Sequence, residues 1–303
     1  MMTTSVAPFR LKPWFSERVW GRQNLQPWYG DTGTTEPVGE AWLTGPQCVV
    51  ETGEFAGRTL ESIATELGGE FPLLVKLLFP ADKLSVQVHP DDAQARALGE
   101  TRGKTECWYV LEAQPGAAVA LGLKDGANAT TVKAAIADGT MESLMERVPV
   151  SVGDMLFVEP GTVHAIGPGM VLLETQQTSD VTYRLYDYGR PRELHLEKGL
   201  QVMKPKTGAG KVAAKKMDGF TRLIEQKYFV VDRFDFGRVT EASVSIDGPG
   251  CLVGLAGRAT ISTAAGEVVL TPGQAVIAPV KGDGVIVDTD TGVSFLRCVA
   301  PVR

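Results

Sequence analysis

The segment VGDMLFVEPGTVHAI (152–166) runs from a glycine turn through an apolar stretch, turns again at Pro160-Gly161, and ends on His164. This pattern reads as a strand, a tight turn and a histidine delivered at a fixed place. Two other segments carry matching chemistry: LSVQVHPDD (84–92) and GKTECWYV (103–110). The chain has only 3 histidines, and His89 and His164 fall in this set. Side chains two apart on a strand share a face. Gln87 therefore projects with His89, and Lys104 with Glu106, while Cys107 faces the other way. Strands closed into a barrel would bring Gln87, His89, Glu106 and His164 to one point. That mixed nitrogen and oxygen set suits zinc or a similar divalent ion. Taken singly, each residue has a plainer reading, because a histidine in a β protein is commonly a hydrogen-bonded core residue. A buried Glu needs some partner in any case. The metal reading rests on the four occurring together.

The bulk composition is that of an ordinary globular chain. Its 303 residues are 44% hydrophobic and 22% charged, and 34 glycines with 18 prolines favour many turns and short strands. A net charge of −6 argues against a nucleic-acid partner, which would require clustered Lys and Arg. The 4 cysteines (Cys48, Cys107, Cys251, Cys298) show no CxxC spacing and read as reduced thiols of a cytoplasmic protein. The opening MMTTSVAPFRLKPW has no apolar core of signal-peptide length. No apolar run approaches the roughly 20 residues of a membrane helix. The expectation is a cytoplasmic chain with no membrane contact, monomeric or homodimeric.

Strand-like runs dominate: 49–55, 72–79, 83–89, 106–113, 117–123, 154–160, 169–177 and 181–188. Helices are expected at 59–69, with Thr59 as N-cap and a stop at Gly68-Gly69, and at 91–100 with Asp91 and Asp92 as capping residues. The stretch 131–148 reads as one further helix broken near Gly139, or as two short ones. His195 falls in the helical pattern ELHLEKGL and reads as structural. The Lys-, Gly- and Ala-rich stretch between Met203 and Met217 reads as a solvated connection. Beyond it, short strands recur as in a second antiparallel β unit.

The spacing Gly153, Gly161, His164 resembles the second motif of the cupin superfamily, Gly-x5-Pro-x-Gly-x-x-His, with the proline displaced to Pro160. A fainter copy begins at Gly273 with Pro279, and there Gly284 occupies the histidine position. The implied architecture is mainly β: a double cupin of jelly-roll barrels with a few helices. Residues 1–203 would form a metal-binding cupin with helical insertions. Residues 218–303 would form a degenerate cupin without metal ligands.

A closer resemblance lies in RVWGRQNL (18–25), EPVGEAWLTG (36–45), PLLVKLLFPADKLSVQVHPDD (72–92), GKTECWYVL (103–111), VEPGTVHAIGPGMVLLETQQTSDVTYRLYDYGR (158–190) and KGLQVMKP (198–205). In these blocks the chain resembles the short, bacterial-type class I mannose-6-phosphate isomerases. Strong agreement covers about residues 10 to 205.

The resemblance implies one zinc per chain on Gln87, His89, Glu106 and His164, with Arg184 as the catalytic arginine and Glu174 as the acid/base group. It places Lys104 and Ser85 at the substrate. The implied reaction interconverts D-mannose 6-phosphate and D-fructose 6-phosphate by proton transfer through a cis-enediol, so the partner is a small sugar phosphate. Its phosphate needs cationic donors, for which Lys83, Lys104, Arg190 and Arg192 are available. The competing readings are a non-catalytic sugar-phosphate-binding or regulatory cupin, and an iron cupin dioxygenase. For Arg184 and Glu174 the plainer alternatives are a rim ion pair with Asp180 or Asp187 and a solvent-facing strand residue.

Overall fold

The computed structural model describes residues 6–278 and 284–302. Four antiparallel sheets make up the architecture, and the α-helices among the described residues are three short ones, Asp92–Ala97, Ala129–Ala137 and Leu196–Val202. The faint motif copy at Pro279 lies outside the described residues.

The N-terminal barrel is a sandwich of two sheets. In the seven-stranded one, the strands Met155–Val158, Glu106–Ala113, Met170–Gln177, Leu73–Leu78 and Val38–Trp42 lie side by side. The five-stranded one carries Tyr183–Tyr186, Val86–Val88, His164–Ile166 and Ala118–Leu123 in that order. Trp108, Val110, Leu156 and Leu172 from the first sheet meet Val119, Leu121 and Ile166 from the second in one buried cluster. The C-terminal barrel repeats the plan, with an eight-stranded and a four-stranded sheet closed over Phe234, Leu252, Ile261, Val287 and Phe295.

The barrels pack back to back. Alternation sends Leu73, Val75, Leu77, Cys107, Tyr109 and Leu173 outward, onto Val231, Cys251, Val253, Leu296 and Cys298 of the eight-stranded sheet. Both faces of these central strands are thus buried, which is why they read as nearly continuous apolar runs. Each buried Leu or Val there contributes about 1.5–3 kcal/mol. The strand Phe9–Lys12 pairs with Ala275–Ile277 and with Val49–Val50, so the start of the chain is hydrogen-bonded into the C-terminal sheet.

Three local expectations are corrected. The helix expected over 59–69 is a single 3-10 turn, Glu61–Ile63; Leu60 and Ile63 are buried and Leu67 packs only partly against the core, and the segment is too short to hold a helix alone. The 131–148 stretch starts earlier, at Ala129 behind an Asn128 capping box, and ends at Gly139; a 3-10 turn and the strand Met145–Pro149 follow. The 203–217 connection contains the strand Gly210–Val212, which pairs with Met155–Phe157, and the two-residue strand Lys215–Lys216. Asp91 caps the helix Asp92–Ala97, as expected.

Candidate active site

Register brings two rows of polar side chains face to face. Across the seven-stranded sheet Trp42 stands opposite Lys76, Lys76 opposite Glu174, and Glu174 opposite Trp108. Residues in one register row share a face, and here it is the face toward the barrel interior. Across the other sheet Arg184 stands opposite Gln87, and Gln87 opposite His164. The period of two then adds His89 beyond Gln87, and Glu106 before Trp108.

The donor atoms of His89, Glu106 and His164 lie within 4.8 Å of one another, and all three residues are buried. Glu106 sits between the rings, with Oε2 3.6 Å from His89 Nε2 and Oε1 3.4 Å from His164 Nε2. His89 Nδ1 lies 2.8 Å from the Val181 carbonyl and His164 Nδ1 2.9 Å from that of Thr162. A carbonyl can only accept, so both Nδ1 atoms carry the proton and both Nε2 lone pairs face the centre. Burial above all holds the His89 ring well below its usual range and pulls His164 down to about 4. Both rings are therefore neutral, as metal ligands must be.

His89 Nε2 and both Glu106 carboxylate oxygens are buried without a hydrogen-bond partner. Leaving such atoms unsatisfied is costly, and a cation at their midpoint removes the cost. Lys104 Nζ lies 2.9 Å from Glu106 Oε2 and supplies one positive charge to that carboxylate. Gln87 turns its amide nitrogen to His164 Nε2 at 3.2 Å, while Ser85 Oγ donates to Gln87 Oε1 at 3.3 Å. Rotating that amide by half a turn would present its oxygen to the centre instead. The residues fit a divalent cation.

A cavity of about 490 Å³ opens beside this cluster, lined among others by Ser85, Gln87, Lys104, Glu174 and Arg184. Glu174 is buried, accepts from Trp108 Nε1 at 3.2 Å and lies 3.7 Å from Lys76 Nζ. Burial raises its carboxyl above the ordinary Glu range, against the opposing pull of Lys104 and Lys76. Lys104 is also buried, yet Glu106, Glu174 and Asp180 outweigh that burial and hold its ammonium firmly protonated. Arg184 Nη1 donates to the Glu193 carbonyl at 2.7 Å. The His195 backbone nitrogen donates to the Arg184 carbonyl at 2.7 Å, and His195 Nδ1 accepts from the Arg184 backbone nitrogen at 3.2 Å.

The rim ion pair considered for Arg184 does not form with Asp187, which is taken by Arg190 and Arg192. Of the cations considered for phosphate, Lys104 and Arg192 line the cavity. Lys83 instead pairs with Glu142 and lines a separate cavity, and Arg190 pairs with Asp82.

Sequence reading assigned no role to two cavity residues. Lys76 is 2% exposed, bonded to Asp180 at 3.1 Å and stacked 4.3 Å over the Trp42 ring. Its signal was a charge in the middle of the apolar strand LLVKLL, where an unpaired lysine could not survive. Arg18, ion-paired with Glu40, gave no such signal, since it follows the polar Ser16 and Glu17 and reads as solvent-facing.

Comparison with known proteins agrees with this geometry. Residues 8–122 match the family model for the catalytic domain of type I phosphomannose isomerase. The mannose-6-phosphate isomerase ManA of Bacillus subtilis (strain 168) is 42% identical over 225 residues, covering 67% of this chain and 69% of that protein. A crystal structure of the mannose 6-phosphate isomerase from Bacillus subtilis superposes with a TM-score of 0.85 at 30% identity, over 96% of this chain and 99% of that one. A mannose 6-phosphate isomerase structure described as holo and zinc bound shares the fold at 18% identity and a TM-score of 0.77, over 97% of this chain and 100% of that one. The chain belongs to the type I mannose-6-phosphate isomerase family, and is an enzyme built on a double-cupin fold.

Proposed function

We propose that this cavity interconverts D-mannose 6-phosphate and D-fructose 6-phosphate through a cis-enediol. The observation that carries the reading is that Glu174 and Arg184, from opposite sheets, line one cavity beside the buried His89, Glu106 and His164 cluster. In this reading one zinc per chain is held by His89, Glu106 and His164, with Gln87 as the fourth ligand. The neutral nitrogens and single carboxylate support zinc, as does the zinc-bound neighbour of like fold. When bound, zinc supplies a Lewis acid that polarises the sugar oxygens and holds them in register.

The chain's own residues move the proton. Glu174 takes the proton from C2 of the open-chain aldose and returns it to C1, while a proton passes from O2 to O1. Its raised pKa brings it closer to the working pH, which suits a group that must both take and give. The Trp108 N–H fixes the carboxylate's direction. Arg184 stays cationic and balances negative charge on the enediol oxygens. Lys104 and Ser85 donate hydrogen bonds to sugar oxygens above the ligand cluster.

In the same reading residues 1–203 are the metal-binding unit. Residues 218–303 form a degenerate cupin backing it, since the one His/Cys/Asp/Glu metal cluster among the described residues is that of His89. The four buried thiols, without a disulfide, suit the cytoplasm. Among the described residues no helix is long and apolar enough to cross a membrane. The chain acts as monomer or homodimer.

The test is direct. Purified protein supplied with zinc should interconvert the two hexose phosphates, and Arg184→Ala should bind metal yet turn over at least about a hundredfold more slowly. A wild-type protein that binds zinc and the sugar phosphate without turnover would establish the binding-only alternative instead.

A further inference from the structure

Cations in the cavity are graded by depth. On its floor Lys104 is 4% exposed and committed to Glu106, and Lys76 is 2% exposed and committed to Asp180 and Glu174. Toward solvent the same cavity is lined by Arg18, Arg184 and Arg192, and the side chains of Arg18 and Arg192 are 31% and 25% exposed. We infer that the mouth formed by Arg18 and Arg192, with Arg184 beneath them, is the subsite that binds the substrate's phosphate. The assignment rests on the isomerase reading above and fixes the sugar's direction, with phosphate outward and C1–C2 at the floor.

Both mouth guanidiniums are held in place by carboxylates. Asp187, 3% exposed, takes Arg192 Nε at 2.6 Å and Nη2 at 2.7 Å, and is itself braced by Arg190 Nη1 at 3.2 Å. Glu40 takes Arg18 Nε and Nη2, each at 3.3 Å, while Arg18 Nη1 donates to the Glu17 carbonyl at 3.1 Å. Glu40 is further committed to Trp42 Nε1 and lies near Lys76. Each fork keeps N–H capacity beyond its ion pair, and a fork already ordered loses little entropy on meeting phosphate.

Arg184 supplies an independent sign. Its Nε is buried and has no hydrogen-bond partner. Burial lowers its pKa, and the charges of Arg192 and Arg18 lower it further. A buried N–H without a partner, set beneath two further guanidiniums, is a donor that a dianion at the mouth would satisfy. The floor is unsuited to that role, because the buried carboxylates of Glu106 and Glu174 stand beside its ammonium groups and would repel a dianion.

Inorganic phosphate is the probe, because it reports the subsite without any turnover. In the zinc-loaded wild type it should bind by calorimetry and compete with mannose 6-phosphate. Arg192→Gln and Arg18→Gln should each raise its dissociation constant about tenfold. Each should raise KM for mannose 6-phosphate by a similar factor, with kcat within about threefold. Arg192→Lys keeps the charge without the fork and should fall between, so it carries the test if the Gln variant does not fold. Lys83→Gln, on the separate cavity, should match wild type.

The inference is overturned if wild-type protein does not bind phosphate, or if the Arg variants bind it as wild type does. Wild-type protein that loses phosphate affinity in the Arg variants yet never interconverts the sugars would instead sink the isomerase reading and leave the anion subsite standing.

Discussion

Glu174 stands directly opposite Lys76 on the neighbouring strand, with carboxylate and ammonium 3.7 Å apart and both side chains buried. Burial raises the Glu174 pKa, and Lys76 is one of the charges that limit the rise. Replacing Lys76 by Met removes that charge at similar volume, so the acidic limb of the kcat/KM profile should move to higher pH. Glu174→Gln should keep its zinc and lose about 10²–10⁴ in kcat, with that limb gone. A Lys76→Met profile that superposes on wild type would show that the charge is not felt at the base.

Metal removal tests the cluster itself. EDTA should abolish activity, and zinc should restore it. At a hundredfold excess over its dissociation constant, zinc should stabilise the fold by about 2.7 kcal/mol against urea. His89→Ala should fold, retain little zinc on metal analysis and show no zinc-dependent stabilisation. An active His89→Ala enzyme would refute the ligand set.

The two buried imidazoles make the metal-stripped protein acid-sensitive in a defined window. Burial pulls His164 down to about 4 from the ordinary histidine value of 6.5, and holds His89 well below it. Below pH 6.5 the unfolded chain takes up protons that the folded chain refuses. Stability contributed by the neutral rings is therefore present above 6.5 and lost as pH falls toward 4. Urea midpoints of EDTA-treated protein should drop across that window. His164→Gln, which cannot titrate there, should flatten the slope, and an unchanged slope would contradict the assignment.

Thiol chemistry offers a check on the barrel interface. Cys251 and Cys298 face each other across adjacent strands, and Cys298 Sγ lies 3.6 Å from Thr175 Oγ1 of the other barrel. Burial raises Cys107 well above its ordinary value and Cys48 to about 11; a hydrogen bond to Cys298 and burial raise Cys251. All four thiols are buried, and a thiol that reagent cannot reach does not react. Native protein should therefore resist alkylation at all four cysteines and react at each in denaturant, read by mass. Labelling of Cys251 or Cys298 in native protein would mean that the barrels separate.

Much of the candidate metal cluster was legible because strand alternation is a local rule. Gln87 and His89, or Glu106 and Lys104, share a face whatever the rest of the chain does. Sheet register is not local. Nothing near Lys76 in sequence says that it will stand between Trp42 and Glu174. The strand Phe9–Lys12 gives no hint of its partner Ala275–Ile277, some 265 residues away. The 59–69 segment misled for a related reason, since its helical spacing was real but the core fully buried Leu60 and Ile63 and took Leu67 only in part. Arg18 was hidden because it closes the polar run Ser16-Glu17-Arg18, which reads as surface, and only the fold turns its guanidinium over the cavity.

That placement of Arg18 depends on Gly39. A Cβ built there would lie 2.5 Å from Arg18 Cβ and 2.7 Å from Trp20 Cη2, closer than real side chains approach. Gly39→Ala must therefore push away the arginine's stem or shift the strand Val38–Trp42 beneath it. Overpacking of this kind costs about 1–3 kcal/mol, which a lowered urea midpoint would register. Because the displaced group is a mouth guanidinium, the damage should be selective. KM for mannose 6-phosphate should rise while zinc content stays at wild type, since Gln87, His89, Glu106 and His164 lie on other strands. Loss of stability with an unaltered KM would mean that Arg18 can move without being missed, and would remove it from the phosphate subsite.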